Sequence, residues 1–282
     1  MKSSMQEFIP EKRVRPLVSA LALMAILGIR ASAGLAFEPQ IINGQPTSDF
    51  PAVAAVGLRF SESLVGLCSG TLIAPAVVLT AAHCFDLNPI RVTAVFVVNG
   101  ELVPYPVDSF VTHRAHVVGS SNADIALLKL ATAVEGITPM PLARVRPRAG
   151  RFGTIVGFGE DNLGQVGVKE MGTVKLGRCT ARLTKRYGVR TTANALCWQP
   201  SQGGSNVCEG DSGGPLVVDG KVAGVTSTGS GPDPNIDTSV AAFRAWIERR
   251  LKSAFRSSAF KSSSEAARPK KERRWRSPTT SW

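Results

Sequence analysis

The chain has 282 residues, with 33 Lys and Arg against 21 Asp and Glu, a formal net charge of +12 and 44% hydrophobic residues. This composition excludes a disordered chain, a collagen and a coiled coil, and the length allows one large domain or two small ones around a continuous core. Residues 251–282 hold 9 Lys and Arg against 2 Asp and Glu. Residues 1–40 hold 5 Lys and Arg against 3 Asp and Glu, so residues 41–250 carry only +3 and do not by themselves indicate a polyanionic partner.

The N-terminal segment has the layout of a secretory signal peptide. Residues 17–29 form an uncharged apolar run, preceded by basic residues at 12, 13 and 15 and followed by Ala-Ser-Ala at 31–33. A membrane-spanning helix needs about 18 to 20 apolar residues, and Arg30 ends the run before that length. We expect residues 1–33 to be cleaved as a signal peptide and the protein to be secreted or periplasmic. An uncleaved anchor or a buried N-terminal helix is the alternative.

The body of the chain has the pattern of an all-β protein. Short apolar runs alternate with turn residues, which is typical of a β-sandwich or a β-barrel. The predicted strands lie at 53–58, 70–73, 77–80, 92–98, 125–130, 154–156, 216–218 and 222–225.

Two local features at the end of the body are specific. Asp219-Gly220 separates two apolar runs and predicts a type I′ hairpin turn. Val240, Phe243, Ile247 and Leu251 recur at helical spacing, so we expect a helix whose apolar side docks on the β-structure.

The tail, residues 254–282, is basic, poor in apolar residues and rich in Ser, so we expect it to be disordered. It is interpreted either as a solvated extension or as a segment that contacts anionic surfaces such as lipid or nucleic acid. No nucleic-acid-binding fold accompanies it, so no specific nucleic acid is expected as a partner.

Three motifs carry residues suited to nucleophilic catalysis. Ser212 lies among glycines in Gly-Asp-Ser-Gly-Gly-Pro at 210–215, where a tight turn exposes the hydroxyl and converging N–H groups suit a developing oxyanion. A serine hydroxyl needs a positioned base, and His83 follows Thr-Ala-Ala and precedes Cys84. Asp124 heads the apolar run 125–130 and is the carboxylate that would orient the imidazole.

These three motifs, in the order His, Asp, Ser, resemble those of the chymotrypsin- and trypsin-like serine peptidases. Weaker matches at 41–44, 156–159 and 245–247 extend the resemblance over about 41–253. The resemblance implies an all-β fold of two packed antiparallel six-stranded barrels with a C-terminal α-helix and a boundary near 140–150. It also implies a secreted serine endopeptidase that forms an acyl-enzyme through His83, Asp124 and Ser212, with the N–H groups of Gly210 and Ser212 as the oxyanion hole.

The resemblance further implies activation by proteolysis. Cleavage after Gln40 would free the amine of Ile41 to pair with Asp211, which makes residues 34–40 a short propeptide. Gln40 is not basic, so a separate activating protease is expected rather than self-activation of the tryptic kind. The alternative is that Ile41 is only the first residue of a strand.

Family positions also indicate the substrate pocket, which would include Asn206, Val207, Ser227, Gly229 and Asn235. Asn206 stands six residues before Ser212. In trypsin-like members an aspartate at this position selects substrates with Arg or Lys as the P1 residue. The pocket then has no obvious carboxylate, so we expect an uncharged P1 residue.

The five cysteines follow a signal peptide and therefore suggest disulfides, with one left over. By resemblance, Cys68 pairs with Cys84 and Cys179 pairs with Cys197. Cys208 lacks the usual family partner, since Pro232 stands at the aligned position. Its thiol would be buried and inert, or redox-sensitive if exposed.

No cofactor and no metal are expected, because Asp86, Glu101 and Asp108 are too few and too scattered for a site with oxygen ligands. Two other functions are alternatives: a non-catalytic binding module, and a hydrolase of esters that uses the same triad. The retention of all three triad residues favours the endopeptidase.

Overall fold

The structure is a computed structural model, and it describes residues 41, 43–159, 167–200, 204–229 and 234–265. The predicted signal peptide, the predicted propeptide, residues 266–282 of the predicted tail and Pro232 lie outside the described residues. Among the described residues no helix has both the length and the apolar character needed to cross a bilayer.

The described residues form thirteen strands and two α-helices. The first seven strands are β1 (Gln45–Pro46), β2 (Val53–Arg59), β3 (Val65–Ala74), β4 (Val77–Thr80), β5 (Arg91–Val98), β6 (Glu101–Thr112) and β7 (Ala126–Leu130). The others are β8 (Phe152–Gly157), β9 (Glu170–Gly177), β10 (Ala195–Trp198), β11 (Pro215–Val218), β12 (Lys221–Thr228) and β13 (Asn235–Ser239). The helices are α1 (Ala181–Arg186) and α2 (Val240–Glu265), and 3-10 turns lie at His83–Phe85 and Thr192–Asn194.

The first barrel is a closed antiparallel ring in the order β2-β3-β4-β7-β6-β5. Its interior is apolar, and Leu72, Leu79, Phe96 and Leu128 are fully buried there. Closing the sheet leaves no unpaired edge, so every strand of the ring has two neighbours.

The second barrel has the order β9-β10-β13-β12-β11-β8, and the pairing of β8 with β9 closes it. The short strand β1 adds to β9. Ile155, Leu196, Trp198 and Leu216 are fully buried in this core. The two antiparallel six-stranded barrels and the C-terminal helix confirm the predicted fold class.

Each apolar run found in the sequence corresponds to a strand, although the run 125–130 begins one residue before β7, and five other strands were not predicted. Strand β6 has no apolar run because most of its residues are exposed. It also contains Pro104 and Pro106, and proline normally marks the edge or end of a strand. In β9, buried and more exposed residues alternate regularly, but Gly172, Thr173 and Lys175 interrupt any apolar run.

The hairpin between β11 and β12 is confirmed. Val218 pairs with Lys221, and the intervening Asp219 and Gly220 have φ values of 51° and 70°. Positive φ at both central residues is the requirement of a type I′ turn.

Helix α2 begins at Val240, as the apolar spacing predicts, and Phe243 and Ile247 pack into the core of the first barrel. The helix continues to Glu265, beyond the predicted domain end at 253. Residues 253–265 contain neither Gly nor Pro, so no residue type in this stretch interrupts helical hydrogen bonding.

Both predicted disulfides are confirmed. Cys68 is joined to Cys84, and Cys179 is joined to Cys197. The first ties β3 to the turn that carries His83, and the second ties the segment that follows β9 to β10. Neither includes Cys208.

Candidate active site

The position of His83 follows from the chain on either side of it. Strand β4 ends at Thr80, the buried Ala81 and Ala82 follow, and His83 opens a 3-10 turn. Cys84 is bound to β3 by its disulfide. The imidazole therefore projects from a short segment that is held at both ends, and its side chain keeps 30% of its surface exposed.

Asp124 lies beside His83 and is almost completely buried, with 1% of its side chain exposed. Oδ1 accepts the backbone N–H of His83 at 2.8 Å, and Oδ2 lies 2.7 Å from His83 Nδ1. Burial raises the pKa of Asp124, but the hydrogen bonds and charge of His83 and the hydroxyl of Ser227 outweigh it, so the net pKa is lowered. The carboxylate is therefore ionised and faces the imidazole.

The second barrel also holds Asp124. The hydroxyl of Ser227 on β12 donates to Oδ2 at 2.5 Å, and the hydroxyl of Thr238 on β13 donates to the backbone oxygen of Asp124 at 2.8 Å. Ser227 was predicted as a pocket residue, and its bond to Asp124 was not predicted. Thr238 was missed altogether, because a lone threonine in a strand carries no sequence signal for such a contact.

The basicity of His83 depends on these neighbours. Burial of the ring lowers its pKa, while the hydrogen bond and charge of Asp124 and the charges of Asp86 and Glu209 raise it, and the net pKa is raised. An imidazole with a raised pKa accepts a proton more readily, which is what a general base requires.

The segment around Ser212 is a tight turn between the two barrels. Gly213 has φ 84°, and a Cβ there would lie 2.1 Å from Thr80 Oγ1, so only glycine fits. The backbone oxygen of Ser212 accepts the N–H of Ser69 at 2.7 Å, and Gly214 donates to the oxygen of Asp211. These bonds fix the backbone of Ser212 against the first barrel.

The predicted oxyanion donors remain available. Among the described residues, no backbone hydrogen bond uses the N–H of Gly210 or of Ser212. The N–H of Asp211 between them is engaged with the oxygen of Cys208 at 3.1 Å. Two N–H groups near one serine hydroxyl suit a site where negative charge develops on a carbonyl oxygen.

His83 and Ser212 line the same cavity, which has a volume of about 280 Å³. Its walls come from the turn that carries His83, from the segment before Ser212 and from the end of β12. The other lining residues are Val207, Cys208, Glu209, Thr226, Ser227, Thr228 and Gly229.

Asn206 and Asn235 do not line this cavity. Asn235 is fully buried, and its Nδ2 donates to Asn206 Oδ1 at 2.8 Å. A Cβ on Gly229 would lie 1.8 Å from Asn235 Oδ1 and 2.5 Å from Val207 Cγ2. The side chain of Asn235 therefore occupies the space beside Gly229, and the amide pair lies behind the wall of the cavity rather than in it.

The structure does not bring Ile41 and Asp211 together. The N–H of Ile41 donates to Oε2 of Glu170, and both residues are fully buried. Asp211 instead accepts the N–H groups of Gly159 and Cys208, each at 2.9 Å. Burial raises the pKa of Asp211 to about 7 against these two hydrogen bonds. Ile41 is still joined to Gln40 here, so its nitrogen is a neutral amide and supplies no positive charge.

One group of metal-capable side chains occurs among the described residues, namely Cys68, His83 and Cys84. The two cysteines form a disulfide with each other. They are not thiolates and do not act as metal ligands.

Comparison with known proteins agrees with this geometry. The trypsin family model matches residues 41–247. Trypsin of Phaedon cochleariae is 32% identical over 256 residues, which cover 81% of this chain and 95% of that protein. Trypsin eta of Drosophila erecta is 31% identical, covering 82% of this chain and 97% of that protein.

A solved structure gives the same result. Neuropsin, a serine protease expressed in the limbic system of mouse brain, superposes with a TM-score of 0.63 at 25% identity, covering 75% of this chain and all of that one. The chain therefore belongs to the trypsin family of serine peptidases, and it is a serine endopeptidase that acts on protein or peptide substrates.

Proposed function

We propose that this endopeptidase cleaves peptide bonds through a triad of Ser212, His83 and Asp124 and an acyl-enzyme intermediate. The observation that carries the proposal is the 2.7 Å contact between His83 Nδ1 and the buried Asp124, with the same imidazole in a cavity that Ser212 also lines. The lowered pKa of Asp124 supports an ionised partner that fixes the tautomer of His83.

The chemistry follows from these positions. Ser212 Oγ bonds to the carbonyl carbon while His83 takes the hydroxyl proton, and the oxyanion accepts the N–H groups of Gly210 and Ser212. The C–N bond then breaks, and His83 returns the proton to the leaving amine. Water hydrolyses the resulting ester by the same steps, which regenerates the serine hydroxyl.

The preferred P1 residue is small and uncharged. Asn206 and Asn235 are neutral amides that bond to each other, so the position six residues before Ser212 offers no carboxylate to a basic side chain. Asn235 fills the space beside Gly229, which limits the depth of the cavity. A larger side chain would have to displace a buried amide, at a cost of about 1 to 3 kcal/mol for its lost hydrogen bond.

The enzyme is activated by another protease that cuts between Gln40 and Ile41. The cut would turn the amide of Ile41 into an ammonium group, and the buried Asp211 forms no ion pair with any of the described residues. Pairing the two would remove the electrostatic cost of burying Asp211 alone. Glu170, which now accepts the N–H of Ile41, holds that residue before the cut.

The signal peptide at 1–33 directs export of the protein and is then removed by cleavage. The mature protein works outside the cell or in the periplasm. Its two disulfides support this location, because such bonds persist in oxidising compartments. The basic tail then contacts anionic surfaces through the cluster at 268–276.

The first test is labelling of purified protein that begins at Ile41 with a fluorophosphonate probe. We expect labelling that disappears in Ser212→Ala, followed by cleavage in a peptide library with small, uncharged P1 residues. Absence of labelling, with Ile41 verified as the N-terminus and the fold intact by circular dichroism, would reject the proposed triad. Equal labelling of the chain that begins at residue 34 would reject activation by cleavage.

A further inference from the structure

A second histidine lies behind the proposed triad. The side chain of His116 is 7% exposed, and its Nε2 is 2.9 Å from Oδ1 of Asp86. Its Nδ1 has no hydrogen-bond partner among the described residues and lies 4.0 Å from Oδ1 of Asp124. His116 is therefore placed between two carboxylates, one of which also binds His83.

The segment that carries His116 is held firmly. Its backbone N–H donates to the oxygen of His113 at 2.8 Å. Asn122 closes the loop by donating to the oxygen of Ala115 at 2.7 Å, and its Oδ1 accepts the N–H of Arg190 at 3.1 Å. The backbone of the segment is thus fixed, and the bond between Nε2 and Asp86 holds the ring beside Asp124.

The protonation state of His116 decides how it acts on Asp124. A neutral ring that donates from Nε2 to Asp86 presents the lone pair of Nδ1 to the Asp124 carboxylate, and two acceptors then face each other. A protonated ring has an N–H on both sides and faces a carboxylate with each. A shift of about 1 Å would bring Nδ1 into hydrogen-bond range of Asp124.

We propose that His116 is a positioning residue for the reaction: its protonated ring bridges Asp86 and Asp124 and limits how strongly Asp124 holds a proton on His83. This inference rests on the proposed function of His83 as the base. His116 touches neither substrate nor nucleophile in this role and acts through Asp124 alone.

The other histidine of this segment has a different environment. His113 is on the same segment, but its ring packs edge-on against Phe243 and Trp246 of α2, with centroid distances of 5.0 and 5.1 Å. Burial, followed by the charges of Arg114, Arg249 and Arg250, lowers the pKa of His113. Asp86 and Asp124 face His116, and His83 is reached through Asp124.

The chain has only three histidines, so each can be followed by NMR with isotope-labelled imidazoles. The titration is done in a Ser212→Ala background, with and without His116→Gln, His116→Lys and His113→Gln. We expect His116→Gln to raise the midpoint of His83 by about 0.5 to 1 pH unit, because a nearby cation no longer opposes its protonation. His116→Lys, which keeps a positive charge, leaves that midpoint at or below its original value, and His113→Gln shifts it by less than about 0.2.

In the enzyme with Ser212 intact, the acid limb of kcat/KM should move in the same direction in His116→Gln, with KM almost unchanged. An identical His83 midpoint with and without His116→Gln would overturn the proposal. If His116→Gln does not fold and His116→Lys does, a His83 midpoint in His116→Lys above that of the parent would overturn the proposal. The NMR titration needs no activity, so an inactive enzyme with the expected shifts would reject the proposed function, and with it the role of His116 in the reaction, while the electrostatic coupling between His116 and His83 would still hold.

Discussion

Ser227 and His83 bind the same oxygen atom of Asp124. The hydroxyl of Ser227 lies 2.5 Å from Oδ2, and Nδ1 of His83 lies 2.7 Å from it. One donor comes from the second barrel and the other from the first. The orientation of the carboxylate that faces the imidazole is thus determined by both barrels together.

Replacing Ser227 with alanine should slow the enzyme while it remains folded. The change removes a charge-assisted hydrogen bond worth about 1.5 to 3 kcal/mol and allows the carboxylate to turn. We expect kcat on a peptide substrate to fall by about tenfold, which corresponds to about 1.4 kcal/mol. Ser253→Ala is the matched control, because that exposed hydroxyl donates to the backbone oxygen of Arg250, far from the site. Equal kcat in the two variants would contradict the role given to Ser227.

Replacing Asn235 with glycine should widen the range of P1 residues. The change removes the side chain that fills the space beside Gly229. It also frees Oδ1 of Asn206 from its bond to Asn235. We expect kcat/KM for substrates with P1 Leu or Phe to rise by about 10- to 100-fold relative to P1 Ala. The matched control is Asn99→Gly, at an exposed turn with φ 52° where glycine is tolerated. An unchanged P1 profile in Asn235→Gly would show that this amide does not limit the pocket.

Asp237 should make the folded protein less stable as the pH rises. It is fully buried, the indole N–H of Trp198 is its one side-chain hydrogen-bond donor within the described part of the chain, and burial raises its pKa to about 7 against that bond. The folded state then holds the proton more tightly than the unfolded chain, whose pKa is 3.8. The free energy of unfolding therefore falls between pH 4 and pH 7, by up to about 4 kcal/mol from this group.

Asp237→Asn removes that dependence, so urea denaturation should show the variant gaining stability over the parent at pH 8 but not at pH 4. Asp219→Asn, in the exposed hairpin turn, is the control. If the difference between parent and Asp237→Asn is the same at both pH values, the carboxyl group is not protonated in the fold.

Asp211 should reverse its effect on stability when the chain is cut before Ile41. In the intact chain its pKa is raised to about 7 by burial, so its ionisation destabilises the fold as the pH rises from 4 to 7. Asp211→Asn should then stabilise the intact chain at pH 8. In the chain that begins at Ile41 the same substitution should destabilise the fold and slow fluorophosphonate labelling, because the new ammonium loses its partner.

The measurement is denaturation of both chain forms at pH 5 and pH 8, with and without Asp211→Asn. The same sign of the change in both forms at pH 8 would contradict the exchange of Ile41 from Glu170 to Asp211.

The features predicted from sequence depend on short-range patterns. The Asp219-Gly220 turn follows from the positive φ that these residues tolerate, and α2 follows from the spacing of Val240, Phe243 and Ile247. The positions of His83 and Ser212 followed from motifs in which small residues surround one reactive side chain, and the family comparison supports the fold in which these motifs meet.

The features that were missed depend on contacts between distant parts of the chain. The bond from Ser227 to Asp124 joins residues 103 positions apart, and the bond from Ile41 to Glu170 joins residues 129 apart. Neither Glu170 nor His116 belongs to a motif, and their importance appears only when the fold gives them a buried partner. The sequence predicts Asn235 as a pocket residue, but it does not show where the side chain lies. That side chain fits beside Gly229 because glycine has no Cβ.

The two contacts from β12 and β13 to Asp124 have a consequence for synthesis of the protein. Ribosomes make His83 and Asp124 first, and Ser227 and Thr238 come more than a hundred residues after Asp124. A nascent chain therefore lacks the bonds that orient the carboxylate until its last strand has emerged. The carboxylate that faces His83 therefore takes its final orientation only after both barrels have been synthesised.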